Sequence, residues 1–229
     1  MKIGLVYTST SPELIDLVPD EVTKALGSDA ELMHYEDPSI LADIRETGYV
    51  TTAPAARLIS MFMKAAQDGA EAILNICSSV GEVADCVQEA ARYIGVPIVR
   101  IDEEMCRDAV RRAKRIGVMA TLPTTLNPTK NTLYRVARET NHAIELTDIL
   151  CDGAFGLNQE EFRSFLLSEA KKYEGQYDLL LLCQGSMAYC ESYLEEALGI
   201  PVVSSPRYGA AALREALIAK GSLSPKGGM

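Results

Sequence analysis

Several things are missing from this sequence, and each absence bears on what it does. Histidine is scarce, with two in 229 residues, and no cysteines stand close together in Cys-x-x-Cys spacing, which argues against a structural zinc site; no metal is expected. No stretch approaches the roughly 18 consecutive apolar residues of a membrane span. The N-terminus enters an apolar strand pattern directly instead of a signal peptide, so a cytoplasmic protein with no membrane partner is expected. Gly-x-Gly-x-x-Gly and the Walker lysine loop are both absent, which weakens any phosphate-binding reading of the serine-rich turns. A basic cluster is lacking as well. The net charge is −10 and the pI is near 4.8, and the longest basic run, Arg111, Arg112, Lys114 and Arg115, reads as favourable charge at a helix C-terminus. A nucleic-acid partner is therefore not expected.

What is present is ordinary in proportion and unusual in arrangement. Hydrophobic residues at 48% and charged residues at 24% suit a globular chain with a sizeable core. Six cysteines occur, but they are not spaced like a small secreted scaffold, and a chain of this length needs no staples. The apolar run Asp178-Leu-Leu-Leu-Leu-Cys183-Gln-Gly-Ser186 has a counterpart in Glu71-Ala-Ile-Leu-Asn-Ile-Cys77-Ser-Ser79. From Cys77 a helical pattern leads to Gly95-Val96-Pro97, and from Cys183 another leads to Gly199-Ile200-Pro201. Upstream, Lys2 to Thr8 reads like Arg115 to Thr121. The two halves form an internal duplication of about 105 residues, well beyond solenoid periods.

Each half reads as alternating strands and helices. Ser11 caps a helix with Pro12 at its first position, and Pro19 is expected to interrupt it. After a strand over Ala30–Tyr35, the polar stretch to Thr52 reads as a long connection. Pro54 starts the next helix. The stripe Val83, Cys86, Val87, Ala90, Ala91 and Ile94 makes one helical face, placing Cys86 in the core; Cys106 and Cys190 read as core in the same way, and Cys151 falls in a loop-like stretch. In the second half the polar turn Thr121–Thr125 leads to a helix beginning near Pro128, and Asn158 with Glu161 forms a capping box. Ser205 and Pro206 open a last helix, and Ser222 to Met229 is expected to fray.

Apolar strands without alternating polarity indicate an α/β fold of two similar halves, each a four-stranded parallel sheet flanked by helices. In such sheets ligands bind beyond the carboxyl ends of the strands, where strand order reverses. A flavodoxin-like order places Thr8–Ser11 beside Cys77 and Thr121–Thr125 beside Cys183. If the halves face each other by a pseudo-twofold, two thiols flank one cleft.

A cysteine at a helix start meets the positive end of the helix dipole and free backbone N–H groups, which favour thiolate over thiol. The same N–H groups, with Ser78, Ser79, Gly185 and Ser186, suit a carboxylate or enolate oxygen. One such cysteine is more often inert; two at equivalent points of a duplication reverse that balance. Two acid-base groups on opposite faces of one carbon suit stereoinversion, one thiolate removing a proton while the opposite thiol donates another.

On NICSSVGE, LLCQGSMAY and the IPVV segment after it, the sequence resembles the aspartate/glutamate/hydantoin racemase superfamily over nearly its whole length, with the LLCQGSMA segment most similar to the hydantoin racemase branch. The resemblance implies a cofactor-independent racemase or epimerase with Cys77 and Cys183 as catalytic acid-base residues. Thr8, Ser9, Ser78, Ser79, Thr121, Gly185 and Ser186 would contact the substrate, an amino acid, a hydantoin or a small dicarboxylate. It also implies that the last helix returns to the first half, giving domains of residues 1–98 plus 206–229 and of 99–205. There are departures. Thr8-Ser9 stands where glutamate racemases carry Asp-Ser, Cys77-Ser78-Ser79 replaces Cys-Asn-Thr, and Gln184-Gly185 replaces the Thr-His after the second cysteine. Two other readings stay open: a cis-trans isomerase or decarboxylase of small dicarboxylates in the same superfamily, and a non-catalytic small-molecule binding module. Arg57 and Arg207 are candidates for a distal carboxylate, each reading more simply as surface charge. A homodimer is the default expectation.

Overall fold

The computed structural model describes residues 1–154 and 157–225. The described chain divides into two units, Met1–Ile101 with the returning segment from Pro206, and Asp102–Ser205. A break at residue 98, expected from the sequence, would fall at the start of a strand, Ile98–Arg100, that is bonded into the first sheet; the first unit therefore runs to Ile101.

The first unit is built on β1 (Lys2–Tyr7), β2 (Glu31–Glu36), β3 (Ala72–Ile76) and β4 (Ile98–Arg100), all parallel, in the order β2-β1-β3-β4. Every residue of β3 is buried, as is β1 from Ile3 onwards, which is why these runs carry no alternating polarity. One face is covered by α1 (Pro12–Leu26) and α10 (Ser205–Lys220), where Leu14, Val18 and Val22 of the first helix and Ala210, Leu213 and Leu217 of the last meet Ile3, Leu5 and Leu74. The other face is covered by α2 (Pro38–Thr47), α3 (Thr52–Gln67), α4 (Gly81–Cys86) and α5 (Gln88–Ile94), with Ile40, Ile44, Leu58, Phe62 and Val83 packed against Val6 and Ile73.

The second unit repeats the plan with β5 (Arg115–Ala120), β6 (Glu145–Leu150), β7 (Leu179–Leu182) and β8 (Val202–Ser204), parallel in the order β6-β5-β7-β8. The four leucines of β7 are at most 1% exposed, and burial of each contributes about 2 kcal/mol. On one face α8 (Gln159–Lys171) and α9 (Glu191–Leu198) bury Leu166, Ala170 and Leu194 with Met119, Leu180 and Leu182. On the other, α7 (Pro123–Glu139) packs on β5 and β6, and α6 (Glu103–Arg112) on β7 and β8. Both central first strands keep a glycine at the same register point because something lies hard against it: a Cβ on Gly4 would stand 3.0 Å from the Ala65 methyl, and one on Gly117 2.9 Å from the Tyr177 ring.

Several local expectations change. Helix α1 runs through Pro19; the carbonyl that loses its helical partner belongs to Ile15, a residue 41% exposed. The stretch expected as a long connection after β2 contains α2, capped by Asp37 onto the Ser39 N–H, opened by Pro38 and closed by left-handed Gly48. Helix α7 starts at Pro123 and carries Pro128 inside it, so Thr124 and Thr125 lie in its first turn. Cys86 is exposed, not core: the helix breaks at Val87, and α5 resumes out of phase, leaving Ala90 and Ile94 exposed as well. Ser222 and Leu223 do not fray, since their N–H groups donate to the Leu217 carbonyl and Leu223 packs on the first unit's core; residues 226–229 of the expected tail lie outside the described residues. Among the described residues no helix is long and apolar enough to cross a membrane.

Candidate active site

In each sheet the third strand ends one residue before a cysteine. Cys77 follows β3 in extended conformation and is the cap of a short 3-10 turn, Ser78–Val80, that runs into α4. Cys183 follows β7, its N–H donating to Met119 of the neighbouring strand, and precedes Gln184, the cap of a 3-10 segment over Gly185–Cys190. The strand order brings the β1 turn beside the first cysteine and the β5 turn beside the second.

Around Cys77 the groups converge. Asn75, two residues earlier on the same strand and 1% exposed, donates from Nδ2 to the Cys77 carbonyl at 3.2 Å and fixes the direction in which the chain leaves the sheet. Thr8 is 1% exposed and its hydroxyl has no hydrogen-bond partner, yet it lies near enough to Cys77 to favour the thiolate there. Ser78 and Ser79 are buried, whereas Cys77 keeps part of its surface accessible. Burial pushes the Cys77 thiol up, against the pull of the Thr8 and Ser79 hydroxyls and the N–H groups of Ser79 and Val80. Ser9 lies in the turn after Thr8, half-buried.

Cys183 is fully enclosed. Burial pushes its thiol up as well, and the nearby carboxylates of Asp102 and Asp148 add to that, against the hydroxyl of Thr129. Thr129 is itself buried and donates to the Thr125 carbonyl at 2.9 Å, one turn back along α7. The helix-start setting was expected to favour thiolate; in both places N–H or hydroxyl donors are present, but desolvation outweighs them. Gly185 and Ser186 open the 3-10 segment, half-buried, and Thr121 is half-buried at the end of β5.

Thr121 is not idle. Its N–H donates to Gln184 Oε1 at 2.8 Å, and Gln184 Nε2 donates back to the Thr121 hydroxyl at 2.6 Å. Asn75, Thr129 and Gln184 were absent from the sequence-based set. Only Asn75 carried a sign of itself, as the one polar residue in an otherwise apolar strand.

The remaining candidates are placed elsewhere. Arg57 bonds Asp43 at 2.6 Å and Asp37 at 3.3 Å, tying α3 to α2 and its cap. Arg207 is exposed, with its guanidinium 4.7 Å from the Tyr208 ring. His34 stacks on Tyr7, and His142 accepts or donates locally at Thr140. Cys151 is buried in the α8–α9 core, and its thiol is pushed up to about 12, chiefly by burial.

The sequence profile of the Asp/Glu/hydantoin racemases matches residues 3–213. The chain belongs to that family. No curated protein matches it in sequence, but solved racemase structures share its fold. Allantoin racemase from Klebsiella pneumoniae superposes with a TM-score of 0.64 at 21% identity, covering 100% of this chain and 91% of that one. Glutamate racemase from Francisella tularensis gives 0.69 at 16% identity, covering 99% and 84%. Aspartate racemase from Picrophilus torridus gives 0.65 at 15% identity, covering 96% and 94%. Two four-stranded parallel sheets, one in each unit, are the architecture expected from the duplication.

Proposed function

We propose that this protein is a cofactor-independent racemase or epimerase that inverts a carbon next to a carbonyl or carboxylate, using Cys77 and Cys183 as its acid-base pair. The observation that carries the reading is equivalence. In each unit one cysteine directly follows the third strand at the same point of the duplication, Cys77 after β3 and Cys183 after β7, each leading into a 3-10 turn.

The raised thiol pKa values shape how the reaction would run. Burial favours the thiol at both cysteines, so each turnover begins as one of them loses its proton to solvent, and at Cys77 the Ser79 and Val80 N–H groups favour the thiolate that forms. A thiolate conjugate to a high-pKa thiol is a strong base, which suits a weakly acidic carbon–hydrogen bond. The thiolate removes the proton, electrons move into the adjacent carbonyl or carboxylate, and the opposite thiol delivers its proton to the other face. The substrate leaves inverted and the two thiols have exchanged roles. The neighbours named for allantoin, glutamate and aspartate define the class to try: a ureido- or amino-substituted carbon beside a carbonyl.

Incubation in heavy water with a panel of amino acids, hydantoins, allantoin and small dicarboxylates tests the proposal. Expected is one substrate class whose newly formed enantiomer carries deuterium from its first appearance, while the remaining substrate stays largely protiated. Substantial protium in the product would remove the two-base mechanism. Release of carbon dioxide from a malonate would instead assign the chain to decarboxylation, and cis-trans interconversion of an unsaturated dicarboxylate to isomerisation.

A further inference from the structure

The two cysteine turns are not furnished alike. In the first unit the hydroxyl of Thr8, beside Cys77, is buried and lacks a hydrogen-bond partner. At the equivalent point of the second unit Thr121 spends both its N–H and its hydroxyl on one side chain, the amide of Gln184. A backbone N–H only donates, so the amide atom facing it must be the oxygen, and the NH2 is thereby aimed at the threonine hydroxyl. The two bonds, at 2.8 and 2.6 Å, span 63 residues of chain. They tie the end of β5 to the residue directly after Cys183.

We propose that Gln184 is the positioning residue for Cys183: its amide clamps Thr121, holds the Cys183 turn against the end of β5, and takes the Thr121 N–H out of the set of groups that contact substrate. This rests on the two-thiol reading above and deepens it, because it makes the two turns unequal. The Cys77 turn, with its unpaired Thr8 hydroxyl, is left as the place where a substrate oxygen is taken. The Cys183 turn is satisfied internally and supplies a thiol in a fixed position. A side chain one methylene shorter, or one without an amide, does not close the ring. Glutamate does, because a carboxylate accepts from the N–H and from the hydroxyl together.

Three variants test this: Gln184→Leu, Gln184→Glu and Thr121→Val. Amide hydrogen exchange at Thr121 reads the clamp itself. Two lost bonds in Gln184→Leu should speed exchange roughly 10- to 100-fold and one lost bond in Thr121→Val roughly tenfold or less, while Gln184→Glu stays near the parent. Alkylation of each cysteine by iodoacetamide, followed by peptide mass spectrometry from pH 7 to 10, reads position. Gln184→Leu should raise the Cys183 rate about tenfold or more and leave Cys77 unchanged, and Gln184→Glu should move the Cys183 profile to higher pH through its added negative charge. With any substrate found in heavy water, kcat in Gln184→Leu should fall about 100-fold with KM within a few-fold, the signature of a misplaced acid-base group. Unchanged exchange at Thr121 in Gln184→Leu, or freed exchange with unchanged Cys183 alkylation, overturns the proposal. If Gln184→Leu does not fold, Thr121→Val carries the same two readouts at the smaller expected size. Absence of any substrate would count against the proposed reaction and leave the exchange and alkylation results standing, so the two failures are distinguishable.

Discussion

Gly209 lies inside α10, where helix propensity alone favours alanine by about 1 kcal/mol. The structure argues for the opposite sign. A Cβ built on Gly209 would stand 2.7 Å from Cγ1 of Ile101, 2.9 Å from its Cα and 3.1 Å from its carbonyl oxygen. Two of those three atoms are backbone at the end of β4, so no side-chain rotation relieves the contact, and Ile101 is itself 2% exposed. Overpacking of this kind costs about 1–3 kcal/mol, and with backbone in the way the upper end applies. Subtracting the propensity gain leaves a net destabilisation by Gly209→Ala of about 2 kcal/mol, or about 4–8 °C in Tm for a chain of this size. Urea unfolding followed by circular dichroism at constant m-value measures it. Ala211→Gly, at an exposed position of the same helix, calibrates the propensity part and should cost about 1 kcal/mol. A Gly209→Ala variant at or above parental stability would refute the close approach of α10 to β4.

Other outcomes follow from the site and its surroundings. Cys77→Ser and Cys183→Ser should each lower racemisation by at least the roughly 10²- to 10⁴-fold typical of a lost general acid or base, with urea midpoints little changed; near-parental turnover in either would remove that cysteine from the mechanism. Asn75→Leu, which installs the residue found at the equivalent point of β7, should keep the first unit folded but release the Cys77 carbonyl and lower kcat about tenfold or more, a loss absent if the bond is merely structural. The Cys151 thiol, raised in the folded state, contributes stability that is complete below the unfolded value near 9 and is lost as pH rises towards the folded value of about 12. Parental protein should therefore lose about 1.4 kcal/mol per pH unit more than Cys151→Ser across that window; parallel stability curves would contradict the burial of that thiol.

The sheets were legible because buried parallel strands leave unbroken apolar runs, and the cysteines were legible because those runs stop at them. What escaped had physical causes. The capping signals of α2 were present in Asp37, Pro38 and Gly48, but the helix buries only Ile40 and Ile44, too little apolar surface to announce itself. The stripe through Cys86 assumed one uninterrupted helix, and a single turn residue, Val87, shifted the phase enough to put the cysteine in solvent. Helix-start cysteines suggested stabilised thiolates, yet sequence position does not report depth, and depth decided the direction at both sulfurs. The Gln184–Thr121 pair joins residues 63 apart, a distance over which no local pattern speaks.

The first unit is discontinuous: its core waits for Ala210, Leu213 and Leu217 of the last helix, while the second unit is contiguous from Asp102 to Ser205. On a ribosome, the half that is made first is therefore the half that finishes last. Ile3, Leu5 and Leu74 emerge early with that side of their sheet covered only by α1, and the rest of the cover arrives only when α10 has been translated. The inserted second unit has all its strands in hand well before that. Nascent chains halted before α10 should accordingly carry a protease-resistant second unit and a first unit that binds chaperones, and a stop codon ahead of residue 206 should yield a protein that aggregates through its own N-terminal strand face.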